Sequence, residues 1–312
     1  MDKTQRIAVV MGGPSTEAEI SRRTGTAIAG ALREKGYSVT ELELNPERFM
    51  QDLRDEKIQV VFNAVHGLYG EDGRLQSILE SMGIPYTGSG VTACAVSMDK
   101  SATKRFLAAE GISTPKFLIF NKRFDGDCYT IVSKIKDTFR LPVVIKAASQ
   151  GSSIGVEIVK SSEDIAGAVD SCFSYCENIV VEEFVAGKEL TCAVVEKSGV
   201  LTALPIVWIA PHSGAYDFHS KYTKGATDYY CPAPLAEEVT KAVQEAAVRT
   251  YRVLGLSGVA RIDLILGADG VPYVLEANTV PGMTATSLVP KMAVAMGMGF
   301  SELCESILLS AK

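Results

Sequence analysis

Residues 258–278 constrain the fold more than any other stretch of the chain. They read Gly-Val-Ala-Arg-Ile-Asp-Leu-Ile-Leu-Gly-Ala-Asp-Gly-Val-Pro-Tyr-Val-Leu-Glu-Ala-Asn. Asp269-Gly270 between two β-rich runs is the strongest short-range signal for a two-residue hairpin loop. That loop pairs Ala268 with Val271, which sets Asp263 opposite Glu276 and Arg261 opposite Asn278. Side chains alternate along a strand, so Arg261, Asp263, Glu276 and Asn278 share one face. The other face carries Ile262, Leu264, Leu266, Tyr273, Leu275 and Ala277, all apolar. Directly opposed Cβ atoms lie roughly 5 Å apart, and like charges there repel. Oxygen ligands in such a pair suit a hard cation such as Mg²⁺. The plainer alternative is a solvated face on which Arg261 bridges the two carboxylates.

The rest of the chain can support such a site. With 312 residues, 47 % hydrophobic and 22 % charged, it has the composition of a soluble globular protein of two or three domains. A net charge of −6 and a pI near 5.3 argue against nucleic acid or an anionic membrane as a partner. The start, Met-Asp-Lys-Thr-Gln-Arg, runs directly into a strand-like stretch, so no signal peptide is expected. No apolar run reaches membrane-spanning length. Seven scattered cysteines without zinc-type spacing predict a reduced, cytoplasmic setting.

Strand and helix signals alternate at the start: a strand at 6–11, a helix to about Lys35, strands at 38–44 and 58–63, and a helix at 75–82. That order predicts a parallel sheet with helices packed on it. The middle reads as a compact α+β module. Its helices lie at 100–110, 129–139 and from Ser162, its strands at 115–120, 141–146, 156–159 and 179–184. Two β-rich runs follow at 190–195 and 200–207, then a long loop over 210–234, then a periodic helix over 236–254. A loop of that length is usually functional or disordered.

Three glycine-rich loops stand where ligands are bound. Gly12-Gly13-Pro14-Ser15-Thr16-Glu17 joins a strand to a helix start, where free N–H groups favour an anion; a tight turn that simply needs glycine is the alternative. His66-Gly67-Leu68-Tyr69-Gly70-Glu71-Asp72-Gly73 follows the third strand, at the edge where open α/β sheets bind ligands. His66 is one of three histidines, and a structural role competes with a functional one. Gln150–Gly155 lies between two strands with Lys146 just before it. Backbone N–H groups and the lysine there can hold phosphates, against the alternative of a plain surface hairpin. Glu182, Glu183 and Val185, with Glu189 beyond, can present backbone amides and a carboxylate to a nucleoside.

In this order the motifs resemble those of the D-alanine–D-alanine ligases of the ATP-grasp superfamily. They are Gly-Gly-x-Ser-x-Glu at 12–17, His-Gly-x-x-Gly-Glu-Asp-Gly at 66–73 and Met-Asp-Lys at 98–100. Gly-Ser-Ser-x-Gly at 151–155, Arg-x-Asp at 261–263 and Glu-x-Asn-Thr-x-Pro-Gly at 276–282 complete the set. The resemblance implies a Rossmann-like parallel-sheet substrate domain (1–89) and a two-lobed ATP-grasp fold (90–182 and 183–312), a mixture of α/β and α+β. It implies a homodimer that joins two D-alanines with ATP. Lys100, Lys146, Ser153 and Lys221 would hold phosphates, Glu182, Glu183 and Val185 the adenine, and Glu189 the ribose. Asp263, Glu276 and Asn278 would bind two Mg²⁺, with Mn²⁺ as the alternative ion. Glu17 would anchor the first D-alanine, with Ser152 and Tyr222 hydrogen-bonded beside it. His66, Gly282, Ser287 and Leu288 would meet substrate, and Arg261 would stabilise developing negative charge. The segments 147–155 and 210–234 would be lids. Gln150 and Ala147 depart from the family's usual glutamate and proline, which puts the closure of the first lid in question. A depsipeptide ligase using D-lactate and a non-catalytic nucleotide sensor are the competing functions.

Overall fold

The computed structural model describes residues 2–151, 154–197, 199–212, 223 and 225–312. Its first sheet is parallel, in the order β2-β1-β3, from β1 (Arg6–Met11), β2 (Ser38–Glu43) and β3 (Val60–Asn63). β1 is buried at Ile7, Ala8, Val9, Val10 and Met11, as a central parallel strand covered on both faces must be. On one face lies α1 (Ala18–Glu34), its Ile28 and Leu32 in the core. On the other, Phe49 and Leu53 of α2 (Phe49–Asp55) meet Leu75 and Leu79 of α3 (Arg74–Met82). α2, only seven residues long, is not among the expected elements.

Two helices meet at the Met98-Asp99-Lys100 motif. α4 (Val91–Met98) ends where Asp99 turns extended, and the Asp99 carboxylate accepts from the N–H groups of Ser101 and Ala102 to cap α5 (Lys100–Ala109). Such a cap contributes about 1 kcal/mol. The central sheet is antiparallel, β4-β7-β5-β6, from β4 (Phe117–Asn121), β5 (Val143–Ala147), β6 (Val156–Val159) and β7 (Asn178–Glu183). Its inner face packs on α6 (Cys128–Thr138) and α7 (Ile165–Phe173).

The third sheet runs β11-β10-β8-β12-β13, with β9 on β8. Its strands are β8 (Gly187–Lys197), β9 (Val200–Ala203), β10 (Val207–Pro211), β11 (Thr227–Tyr230), β12 (Val259–Gly267) and β13 (Pro272–Asn278). The expected single run at 200–207 is therefore two strands, and part of the expected long loop is β11. α8 (Glu237–Val253) covers this sheet through Val243, Ala247 and Tyr251. The chain ends in α9 (Leu288–Ala295) and α10 (Phe300–Leu308), whose Val289, Met292, Leu303 and Ile307 share one core with Ile7, Val9, Ile28 and Leu32. The first and last modules are thus packed as one body. Among the described residues no helix is long and apolar enough to cross a membrane.

The hairpin corrects two expectations and keeps a third. Gly267 N–H donates to Val271 O and Gly270 N–H to Gly267 O, so the loop has three residues, with Gly270 at φ +80°. This is the turn plus left-handed glycine common in three-residue hairpins. Near the turn Leu264 pairs with Val274, one step off the expected register; a bulge before Glu276 absorbs the step, and Asp263 opposes Glu276 while Arg261 opposes Asn278. The apolar face changes accordingly. Val274 is fully buried, whereas the Tyr273 hydroxyl donates to Asp269 near the surface.

Candidate active site

The acidic face of the hairpin forms the floor of a cleft of ≈290 Å³, near the lower end of small-molecule sites. Glu17, His66, Lys100, Arg261, Asp263, Glu276, Asn278, Gly282, Ser287 and Leu288 all line it. The sequence separation of these residues is closed by the shared core of the first and last modules.

Protein cations stand against both carboxylates. Arg261 makes a two-pronged bond to Asp263, Nε to Oδ1 at 2.9 Å and Nη2 to Oδ2 at 2.8 Å. Thr191 Oγ1 also donates to Asp263 Oδ1, at 2.5 Å. Lys100 Nζ lies 3.1 Å from Glu276 Oε2 and donates to the Gln150 carbonyl at 2.7 Å. That last contact uses backbone, so the side-chain departure at Gln150 leaves it intact. Among the described residues no group of three His, Cys, Asp or Glu converges as a ready metal cluster. The donors here are two carboxylates and the Asn278 amide oxygen, a wholly oxygen set that fits Mg²⁺ rather than a softer ion. Asn278 Oδ1 is held in place by the N–H of Val280 at 3.2 Å.

At the other end, the Glu17 carboxylate lies over the glycine of the His66-Gly67 motif. Gly67 has φ +70°, and a Cβ there would come 2.9 Å from Glu17 Oε2. A Cβ on Gly151 would come 3.4 Å from the same atom, so Gly151 of the central module lies close to Glu17. His66 is buried with both nitrogens engaged, Nδ1 at 2.8 Å from Val280 O and Nε2 at 3.0 Å from Thr24 Oγ1. A carbonyl only accepts, so Nδ1 carries the proton and Nε2 accepts from Thr24. Burial holds the imidazole below its ordinary pKa despite the nearby Glu17. His66 therefore ties the first module to the 280 segment while its edge faces the cleft.

Ser287 lies at the start of α9, where its Oγ accepts from Thr284 N at 3.0 Å and lies 2.8 Å from Thr284 Oγ1. This closes the turn that carries Gly282 into the cleft wall.

Two residues of the site have no role in the sequence reading. Glu71 lines the cleft, and burial, with the Glu17 charge adding to it, pushes its carboxyl up to about 8. Its place in the His66–Gly73 motif was the available signal. Lys104 is fully buried, with Nζ 3.0 Å from Glu182 Oε1; Lys146 Nζ approaches Glu182 Oε2 at 2.8 Å. Burial would raise the Glu182 pKa, but the two ammoniums together hold it below the ordinary carboxylate value. Burial conversely pulls Lys104 down to about 8.

The other residues expected at a nucleotide stand apart from the cleft lining. Glu183 Oε1 accepts from Lys116 N at 2.8 Å, bracing the end of β7. Val185 is half-buried just beyond, and Glu189 lies on β8 opposite Ile265. Ser152, Ser153, Lys221 and Tyr222 lie outside the described residues.

Comparison with known proteins agrees with this geometry. A family profile described as D-ala D-ala ligase C-terminus matches residues 106–309, and one described as D-ala D-ala ligase N-terminus matches 41–89. The D-alanine–D-alanine ligase of Anaeromyxobacter sp. (strain K) is 44 % identical over 304 residues, 97 % of this chain and 96 % of that protein. The ligase of Syntrophotalea carbinolica is 44 % identical over 98 % of this chain and 96 % of its own length. Among solved structures, the Bacillus anthracis D-alanine–D-alanine ligase complexed with ATP superposes with a TM-score of 0.84 at 34 % identity, covering 98 % of this chain and 97 % of that one. The VanG D-Ala:D-Ser ligase from Enterococcus faecalis gives 0.85 at 29 % identity, covering 98 % of each chain. With the hairpin, the cleft and these full-length likenesses in agreement, the chain belongs to the D-alanine–D-alanine ligase family and has its ATP-grasp fold.

Proposed function

We propose that this chain is an ATP-dependent carboxylate–amine ligase. It joins two D-alanines into D-alanyl-D-alanine through a D-alanyl phosphate, with release of ADP and phosphate, for peptidoglycan precursor synthesis. One observation carries the reading: a single cleft holds a carboxylate suited to an ammonium, Glu17, and cations suited to phosphate, Lys100 and Arg261, over an acidic hairpin.

A carboxylate is a poor acylating agent, so activation comes first. Glu17 holds the ammonium of the first D-alanine and turns its carboxylate toward the hairpin. A carboxylate oxygen attacks the terminal phosphorus of ATP, the bond to the bridging oxygen breaks, and ADP leaves. Catalysis of such a step is mostly positioning and charge neutralisation. Lys100 and Lys146 serve the phosphates, as do Ser153 and Lys221. Glu182, Glu183 and Val185 line the adenine and Glu189 the ribose. Two Mg²⁺, or Mn²⁺, bound by Asp263, Glu276 and Asn278 would neutralise the triphosphate. The second D-alanine, held by Ser287, Leu288 and Gly282, attacks the acyl carbon as a neutral amine. Arg261 offsets charge on the tetrahedral oxygen, phosphate departs, and the amine gives up its proton. His66 holds the substrate wall, and Ser152 and Tyr222 complete the Glu17 end.

The reading includes a division into 1–89, 90–182 and 183–312, a homodimer, and a cytoplasmic setting. The test is phosphate release from ATP with D-alanine, L-alanine, D-serine or D-lactate as substrate. D-alanine alone is expected to support full turnover. Turnover that requires D-serine or D-lactate beside D-alanine would replace the second substrate, and no turnover with any of them would favour a nucleotide sensor.

A further inference from the structure

Glu182 is almost wholly buried between two lysines of different elements, Lys146 on β5 and Lys104 on α5. If Lys146 were its only partner, the pair would be neutral and Lys146 would have little field left for a phosphate. The second ammonium changes the count. One carboxylate shared by two ammoniums carries a net positive charge, and Lys104 has 0 % exposure, so only Lys146 can present that charge outward.

Lys104 is also fixed against moving. Its Nζ donates to Thr114 Oγ1 at 2.5 Å, and Thr114 Oγ1 donates in turn to Val274 O at 2.7 Å. Its approach to Glu182 Oε1 at 3.0 Å is an ionic contact without hydrogen-bond direction, as expected of a lysine whose orientation is set by Thr114. The arrangement costs desolvation of three charges, yet no packing need is met by a lysine that an apolar side chain would not meet better.

We propose that Lys104 is a positioning residue for the nucleotide site, neutralising Glu182 from behind so that the Lys146 ammonium is left available to an ATP phosphate. The inference rests on the reading of Lys146 as a phosphate ligand.

The test is a double-mutant cycle on the full chain, read by calorimetric binding of MgADP and by separate KM values for ATP and D-alanine. Lys104→Met should weaken MgADP binding and raise the ATP KM by about tenfold or more, the scale of one charge-assisted hydrogen bond. The D-alanine KM should stay within about twofold, the usual limit of additivity error. In a Glu182→Gln background there is no carboxylate to neutralise, so adding Lys104→Met should change MgADP binding by no more than about twofold. An equal loss in both backgrounds, or a D-alanine KM that moves as far as the ATP KM, would overturn the proposal. Should Lys104→Met fail to fold, Lys104→Gln, which removes the charge but keeps a polar group for Thr114, takes its place in the same cycle. Lys146→Met separates the two ideas. Unchanged MgADP affinity there removes the nucleotide role of Lys146 and the proposal with it, whereas a loss there without one in Lys104→Met overturns the proposal alone.

Discussion

Lys100 Nζ stands 3.1 Å from Glu276 Oε2, joining the first residue of a central helix to the acidic hairpin of the last module. The lysine is largely buried and the carboxylate about one-third exposed, so the contact is stronger than a surface pair and weaker than a buried one. Glu276 therefore has two opposed influences, repulsion from Asp263 across the strands and attraction to Lys100. Glu276→Gln removes both. Ligation should be lost, while the melting temperature without Mg²⁺ should shift by no more than about 2–4 °C, the equivalent of ~1 kcal/mol. Calorimetry and a phosphate-release assay on one preparation check this. Normal turnover would remove Glu276 from the metal set.

Gly67 is the narrowest point of the Glu17 end. Its backbone is left-handed, and a Cβ would lie 2.6 Å from Ser15 Oγ and 2.9 Å from Glu17 Oε2. Gly67→Ala should displace the carboxylate and raise the KM for the first D-alanine by about tenfold or more, the cost of disturbing one charged hydrogen bond. The ATP KM should not follow it. Parallel rises in both would point to a general loss of structure.

Glu71 gives the protein a pH-dependent stability. Its folded pKa, pushed up to about 8 from an ordinary 4.5, means the folded chain keeps a proton that the unfolded chain releases. Stability from this group is full below 4.5, falls as pH rises to about 8, and levels off beyond. Gln has no proton to lose. The melting temperature of Glu71→Gln should therefore gain on wild type from pH 5 to pH 9 in metal-free buffer. A constant difference across that range would show that Glu71 titrates normally.

In the proposed function Ser287 serves the second D-alanine. Its Oγ closes the Thr284 turn beside Gly282 in the cleft. Ser287→Ala should raise the KM for the second D-alanine with the ATP KM unchanged. Steady-state kinetics at saturating ATP, fitted with two D-alanine constants, distinguishes this from a rise in the first.

Much of this was legible in the chain itself. The opposition of Asp263 and Glu276 follows from turn chemistry and strand alternation, and it holds although the loop is longer than expected and the ladder is bulged. Neither feature leaves a mark that pattern reading can detect, because the bulge is held by long-range bonds, Val274 N to Ser113 O and Thr114 Oγ1 to Val274 O. α4 was missed because Val91–Met98 is apolar with little periodicity. Lys104 reads as an ordinary helix lysine. The one clue was its position four residues after Lys100, two like charges on one helix face, each of which meets a carboxylate in the fold.

The bulge before Glu276 also gives the hairpin a mechanical property. An unbroken ladder from the observed turn would set Leu275 opposite Asp263 and point Glu276 toward Ile262 and the core. Asp263 instead faces Glu276 with Leu275 taken up as the extra residue. The strand thus carries one residue of slack between its turn and its acidic end. Turn length and ligand geometry are thereby uncoupled, and the turn can be rebuilt without rotating the carboxylates out of the cleft.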